Sequence, residues 1–160
     1  MHTRTRFSTL IVPLVALLVL ATPLGAAAAP PVEASGDYAA TSTTINGIRF
    51  AGPNAIIDLT FTVSYTGTLA GTSVVDGRLV AHPNDSGNFH GVETFTGTVN
   101  GAAGTLTFNA VSRHDPSGAS HGKAVIRQAT GELAGLHGVL FQDGTVGPLG
   151  PLGSYSGHIG

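Results

Sequence analysis

The chain has no cysteine, no tryptophan and a single methionine, and only 10% of its 160 residues are charged. Without Cys there can be no disulfide, thiolate metal site, iron–sulfur cluster or thiol nucleophile. Lys and Arg number 7 against 9 Asp and Glu, a formal charge of −2. Recognition of nucleic acid needs clustered cations, and Arg113, Lys123 and Arg127 are few and scattered. No nucleic-acid partner is therefore expected. The Gly-x-Ser-x-Gly elbow of a serine hydrolase is absent, as are His-x-His and His-Glu-x-x-His spacings. The Gly-rich stretch Gly131 to Gly138 lacks the Lys-Ser/Thr of a phosphate loop. It reads instead as a tight turn or one-turn helix plugging one end of a barrel. No cofactor is implied.

What the chain does contain is 42% hydrophobic residues, 23 Gly and 9 Pro, and one domain is the natural reading at this length. Arg4 and Arg6 precede an apolar run, Leu10 to Leu20, interrupted by Pro13, and Ala27 and Ala29 then supply small residues at a cleavage site. This is the layout of a secretory signal peptide over residues 1–29. The run is shorter than the roughly 20 residues that span a bilayer, and no Cys follows to carry a lipid anchor. The expectation is a cleaved signal helix, a flexible lead-in over residues 30–35, and a secreted domain over residues 36–160 with no membrane attachment. Self-association stays open.

Beyond the leader the apolar period is two. Leu59, Phe61, Val63 and Tyr65 alternate with Thr60, Thr62, Ser64 and Thr66, the pattern of a half-buried antiparallel strand. Further strands are read at Val74 to His82, Val92 to Val99, Thr105 to His114, His121 to Gln128, Val139 to Gln142 and Ser154 to Ile159, with a weaker one at Asp37 to Thr44. Turn chemistry separates them, as at Asn100-Gly101 and Asp115-Pro-Ser-Gly118. Gly147 to Gly153, with Pro148 and Pro151, is excluded as a central strand because Pro lacks the ladder donor. About eight short strands joined by short connections predict an all-β antiparallel meander, and closing it into a small barrel removes the exposed edges. Gly67, Gly77, Gly91 and Gly97 fall inside strands, where Gly relieves crowding in a closed sheet.

Two segments carry a family resemblance: FHGVETFTGTVNGAAG (Phe89 to Gly104) and ATGELAGLHG (Ala129 to Gly138). SGDYAATSTT (Ser35 to Thr44), YTGTLAGTSVVDGRL (Tyr65 to Leu79) and GSYSGHI (Gly153 to Ile159) follow the same order. Together they resemble the domain-of-unknown-function family 3224, over roughly residues 35–159. The resemblance implies an allene-oxide-cyclase-like barrel of eight antiparallel strands around a small interior cavity. It implies no activity. His137 stands where the resemblance leads us to expect Arg, so no charged role is carried to that position, and fold-level likeness to a cyclase transfers no chemistry.

Strand parity locates the chemistry. Glu93 shares a face with Phe95 and Val99, while Thr94, Thr96 and Thr98 take the other. If Phe95 points inward, so does Glu93. A carboxyl in a barrel interior is costly unless paired or protonated, and its pKa is expected to rise. Glu93 is thus the candidate ligand anchor or catalytic acid/base; the alternative is a buried polar pin held by Arg78, Arg127 or backbone donors. Phe61, Tyr65, Phe95 and Phe108 are the expected pocket walls. His82, His90, His114 and His121 flank two hairpin loops that fall at one mouth, together with Asp85, Asp115 and Asp143. They are a weaker candidate set for zinc or copper; exposed loop polarity explains them as well. The leading functional expectation is a barrel that binds a small apolar molecule, with an isomerase or cyclase-like enzyme and a solid structural module as alternatives.

Overall fold

A computed structural model describes residues 30–160, so the predicted signal peptide lies outside the described residues. Eight strands follow one another: β1 (Val32–Ala51), β2 (Asn54–Gly67), β3 (Leu69–Ala81), β4 (Gly87–Val99), β5 (Ala102–His114), β6 (Ala119–Gly131), β7 (Gly138–Gly147) and β8 (Gly150–Ile159). Each pairs antiparallel with its sequence neighbours, and β8 returns to β1 to close the barrel. Every backbone edge within the ring is then occupied, which is the physical gain of closure. No helix long and apolar enough to cross a membrane occurs among the described residues.

The segment expected as a flexible lead-in is mostly strand. Val32 to Ser35 pair with Ile159 to Ser156, and Ala34 is fully buried. The seam between first and last strands needs these residues, which alternation alone did not reveal. Gly150 to Gly153, excluded above as a central strand, opens β8. Pro151 is tolerated because it pairs only with Val146; the pairing of β8 with β1 reaches no further than Leu152 opposite Ala39.

Odd-numbered residues of β2, β3 and β4 face inward. So Leu59, Val63 and Tyr65 of β2, Leu69, Ser73 and Val75 of β3, and Glu93, Phe95 and Val99 of β4 are buried together. The interior glycines stand as cross-strand pairs, Gly71 opposite Gly97 and Gly77 opposite Gly91. A methyl at Gly97 would lie 2.8 Å from the Phe95 ring, and one at Gly77 2.4 Å from the Phe89 ring. Each pair is a seat for one aromatic side chain, and Glu93 lies between the two seats.

The even-to-odd connections (β2–β3, β4–β5, β6–β7) and both termini of the described chain lie at one end. There Leu133, from the Gly131 to Gly138 connection, is buried in the core. Its amide donates to Thr130 O, and the Leu136 amide donates to Leu133 O. This is the expected plug, built as turns and not as a helix. The other end stays open. Here β1 and β2 remain paired to Ala51 opposite Asn54 and β2 stays paired with β3 to Ala55 opposite Ala81, while the β8 side of β1 has no partner beyond Ala39.

Candidate functional site

The mouth opens into a cavity of about 300 Å³. One wall is apolar and comes from β1 to β4: Ile45, Ile57, Leu59, Phe61, Leu79 and Phe89. Phe61 packs on Phe89 at a centroid distance of 5.8 Å. The facing wall carries polar groups from β5 to β7: Ser112, His114, Ser120 and Gln142. Deepest lie Tyr38, Tyr65 and Glu93. Among the described residues that line the cavity, none is Lys or Arg.

Glu93 is 2% exposed, as parity predicted. Its partners are hydroxyls and not cations. Ser73 Oγ donates to Glu93 Oε1 at 2.5 Å, and the Tyr65 hydroxyl is close enough to the carboxyl to stabilise its charged form. Gln142 Nε2 in turn donates to Tyr65 Oη at 3.0 Å. Burial pushes the Glu93 carboxyl above its ordinary 4.5, and the two hydroxyl donors only partly oppose this. Burial, reinforced by the Glu93 charge, likewise raises the Tyr65 phenol well above its usual range. The result is a chain of side chains, Gln142 to Tyr65 to Glu93, at the base of a largely apolar hollow.

Arg78 and Arg127 are not part of it. Arg78 occupies an even position on β3 and faces outward, where its Nε donates to Asp58 Oδ1 at 2.7 Å. Arg127 falls at a bulge where the β5–β6 register shifts, and is exposed. Phe95 and Phe108 point inward but are fully buried in the core below the cavity, so they pack the closed half and do not line the pocket. Of the expected walls, Phe61 and Tyr65 are placed there.

The four rim histidines share an end but do not converge. The two ring nitrogens of His82 are engaged by Asn54 Oδ1 and Asn88 Nδ2, both at 2.9 Å. His121 Nδ1 lies 2.6 Å from Asp143 Oδ1 in an exposed pair. His90 occupies an outward position on β4, and His114 alone of the four lines the cavity. Among the described residues no three His, Asp or Glu side chains come together to hold a metal ion.

Sequence reasoning missed Tyr38, Ser73 and Gln142. Ser73 sits directly opposite Phe95 in the β3–β4 register, and the alternation that placed Phe95 inward could have found it. Tyr38 and Gln142 lay in strands whose small residues give little alternation.

An antiparallel barrel of eight strands, plugged at one end and hollowed at the other, defines a class of fold and not an activity. Within that class, the family model for a protein of unknown function (DUF3224) matches residues 34–144, and the chain belongs to that family. A crystal structure of a DUF3224-family protein of unknown function from Shewanella oneidensis MR-1 is similar, with a TM-score of 0.63 and 16% identity over 82% of this chain and 98% of that one. That likeness is one of fold. No curated protein matches.

Proposed function

We propose that this protein is a secreted carrier or receptor that takes up a small, largely apolar molecule through the open mouth, with Glu93 as the polar contact at the pocket floor. The observation that carries the reading is the cavity of about 300 Å³, apolar on one wall, with a buried carboxyl at its base. That volume reaches the lower bound of small-molecule pockets, and an apolar lining with a few convergent polar groups is their usual composition. A hollow of this size also speaks against a solid structural module. Secretion belongs to the proposal through the signal peptide read at residues 1–29.

Native mass spectrometry on protein recovered from its own culture medium tests the reading. A mass surplus on the folded protein is expected, together with an N-terminus near Pro30. Leu79→Trp, which places an indole in the cavity, should abolish the surplus. A bare mass in both proteins would overturn ligand carriage.

One observation favours a second reading. A carboxyl of raised pKa joined to a phenol at the base of a water-poor pocket can move a proton, which would suit an isomerase or cyclase-like reaction. Turnover lost in Glu93→Gln with binding intact would select that reading over simple carriage.

A further inference from the structure

Tyr38 and Ser120 are the two buried hydroxyl side chains of the cavity that make no hydrogen bond among the described residues, and Tyr38 is the one packed beside Tyr65. Only 5% of the residue is exposed, and its ring stacks on Tyr65 with centroids 6.2 Å apart. Tyr65 is engaged by Gln142 and Glu93, and Tyr155 donates to Thr66 O while accepting from the Leu69 amide. Among the described residues nothing hydrogen-bonds the Tyr38 hydroxyl. It is not a sealed, orphaned atom either, since among the described residues no fully enclosed side-chain polar atom lacks a partner. Tyr38 lines the cavity, and its hydroxyl keeps some accessible surface. A phenol in such a place usually finds a partner, and here that partner is water or a molecule that displaces it from the cavity.

Resting on the carriage reading above, we infer that the pocket selects an uncharged apolar molecule bearing one acceptor oxygen of the carbonyl type, and that the Tyr38 hydroxyl donates the hydrogen bond that seats it. Two features of the surroundings support the class. No Lys or Arg lines the cavity, so a ligand carboxylate would meet no permanent counter-ion there, and His114 on the polar wall is the one lining side chain able to carry a positive charge. Burial, with the Asp143 and Glu93 carboxylates adding to it, pushes the Tyr38 phenol up to about 12, so it keeps its proton as a donor. Fatty acids and other carboxylates are therefore disfavoured, and ketones, aldehydes, quinones or esters are favoured.

Three isosteric naphthalenes serve as probes: 2-acetylnaphthalene, 2-isopropylnaphthalene and 2-naphthoate. Their fluorescence in equilibrium dialysis is read against a protein that has no Trp. With the full chain as expressed and purified, the ketone should bind at least about thirtyfold more tightly than the carboxylate. Tyr38→Phe should weaken the ketone by about three- to tenfold and leave the hydrocarbon unchanged. In the unaltered protein, an isotope-edited infrared spectrum should show the carbonyl stretch of the bound ketone below its frequency in hexane, a readout that does not depend on the variant folding. Binding of ketone and hydrocarbon with no loss in Tyr38→Phe and no carbonyl shift would overturn the inference while leaving carriage standing. Tight binding of the naphthoate would overturn it as well. No binding of any of the three would overturn the carriage reading itself, and the inference with it.

Discussion

At the plugged end of the barrel Leu69, Phe95, Leu106 and Leu133 touch no solvent. At the mouth, the same inward parity leaves Ile45 58% and Phe50 77% exposed. The two ends are made by the same strands with the same alternation. They differ in what covers the opening: Leu133 folds back over one end, while at the other the β1 strand runs on from Ala39 to Ala51 with no partner on its β8 side. Apolar surface at the plugged end is spent on holding the sheet shut. At the mouth it remains free for something else to cover.

That contrast is open to attack by mutation. The largest effect is expected from Phe95→Ala, which empties a glycine-built seat in the closed half and should cost about 3–5 kcal/mol in urea denaturation. Phe61→Ala, on the pocket wall beside an existing hollow, should cost well under half of that. Equal losses would mean that the two ends are packed alike. A smaller effect, specific to the boundary between the halves, is expected from Glu93→Gln as a function of pH. The folded pKa of Glu93 lies above its ordinary 4.5, so the folded state binds the proton more tightly than the unfolded chain. The wild type thus has its full Glu93 contribution below pH 4.5 and loses it as pH rises toward the folded value. The glutamine variant lacks this decline. Its denaturation midpoint should gain on that of the wild type from pH 4.5 upward, and parallel pH profiles would refute the assignment. The smallest effect should come from Arg78→Ala at neutral pH. Its ion pair with Asp58 is solvent-exposed on the outer wall, and such pairs contribute little. A melting midpoint within error of the wild type is expected, and ketone binding should be untouched.

How far the sequence could be read follows from what parity encodes. Period-two alternation says which side of a strand faces in, and it placed Phe61, Tyr65, Glu93 and Phe95 correctly inside. It does not say how deep along the barrel axis a side chain lies, since depth depends on stagger between strands. Parity therefore cannot separate Phe95 and Phe108, which pack the closed core beneath the pocket, from Phe61 and Tyr65, which line it. Parity also fails where both faces of a strand carry apolar residues. Val74 and Val75, then Leu79 and Val80, hid the outward setting of Arg78. It fails again at a bulge, and the register shift between Thr107 and Phe108 displaces Arg127 from any simple count. Hairpin alternation correctly brought the loops flanked by His82, His90, His114 and His121 to one end. The direction of each imidazole was set by local partners such as Asn54 and Asp143, which no spacing rule shows. The eight strands themselves were legible because each pairs with its neighbour in sequence. The exception is the β1–β8 seam, whose residues 32–35 read as a loose approach to the barrel.

That seam has a further consequence. Val32 and Ile159 are hydrogen-bonded neighbours, and Gly160 exchanges backbone hydrogen bonds with His137 in the plug. The first and last described residues thus stand side by side, at the end of the molecule away from the mouth. A short peptide bridge could join them and a new pair of ends be cut at a hairpin such as Asn100-Gly101, giving a circularly permuted ring with its sheet order unchanged. Immobilisation through residue 160, or through the chain just before Val32, would likewise point the entrance outward, toward the solution.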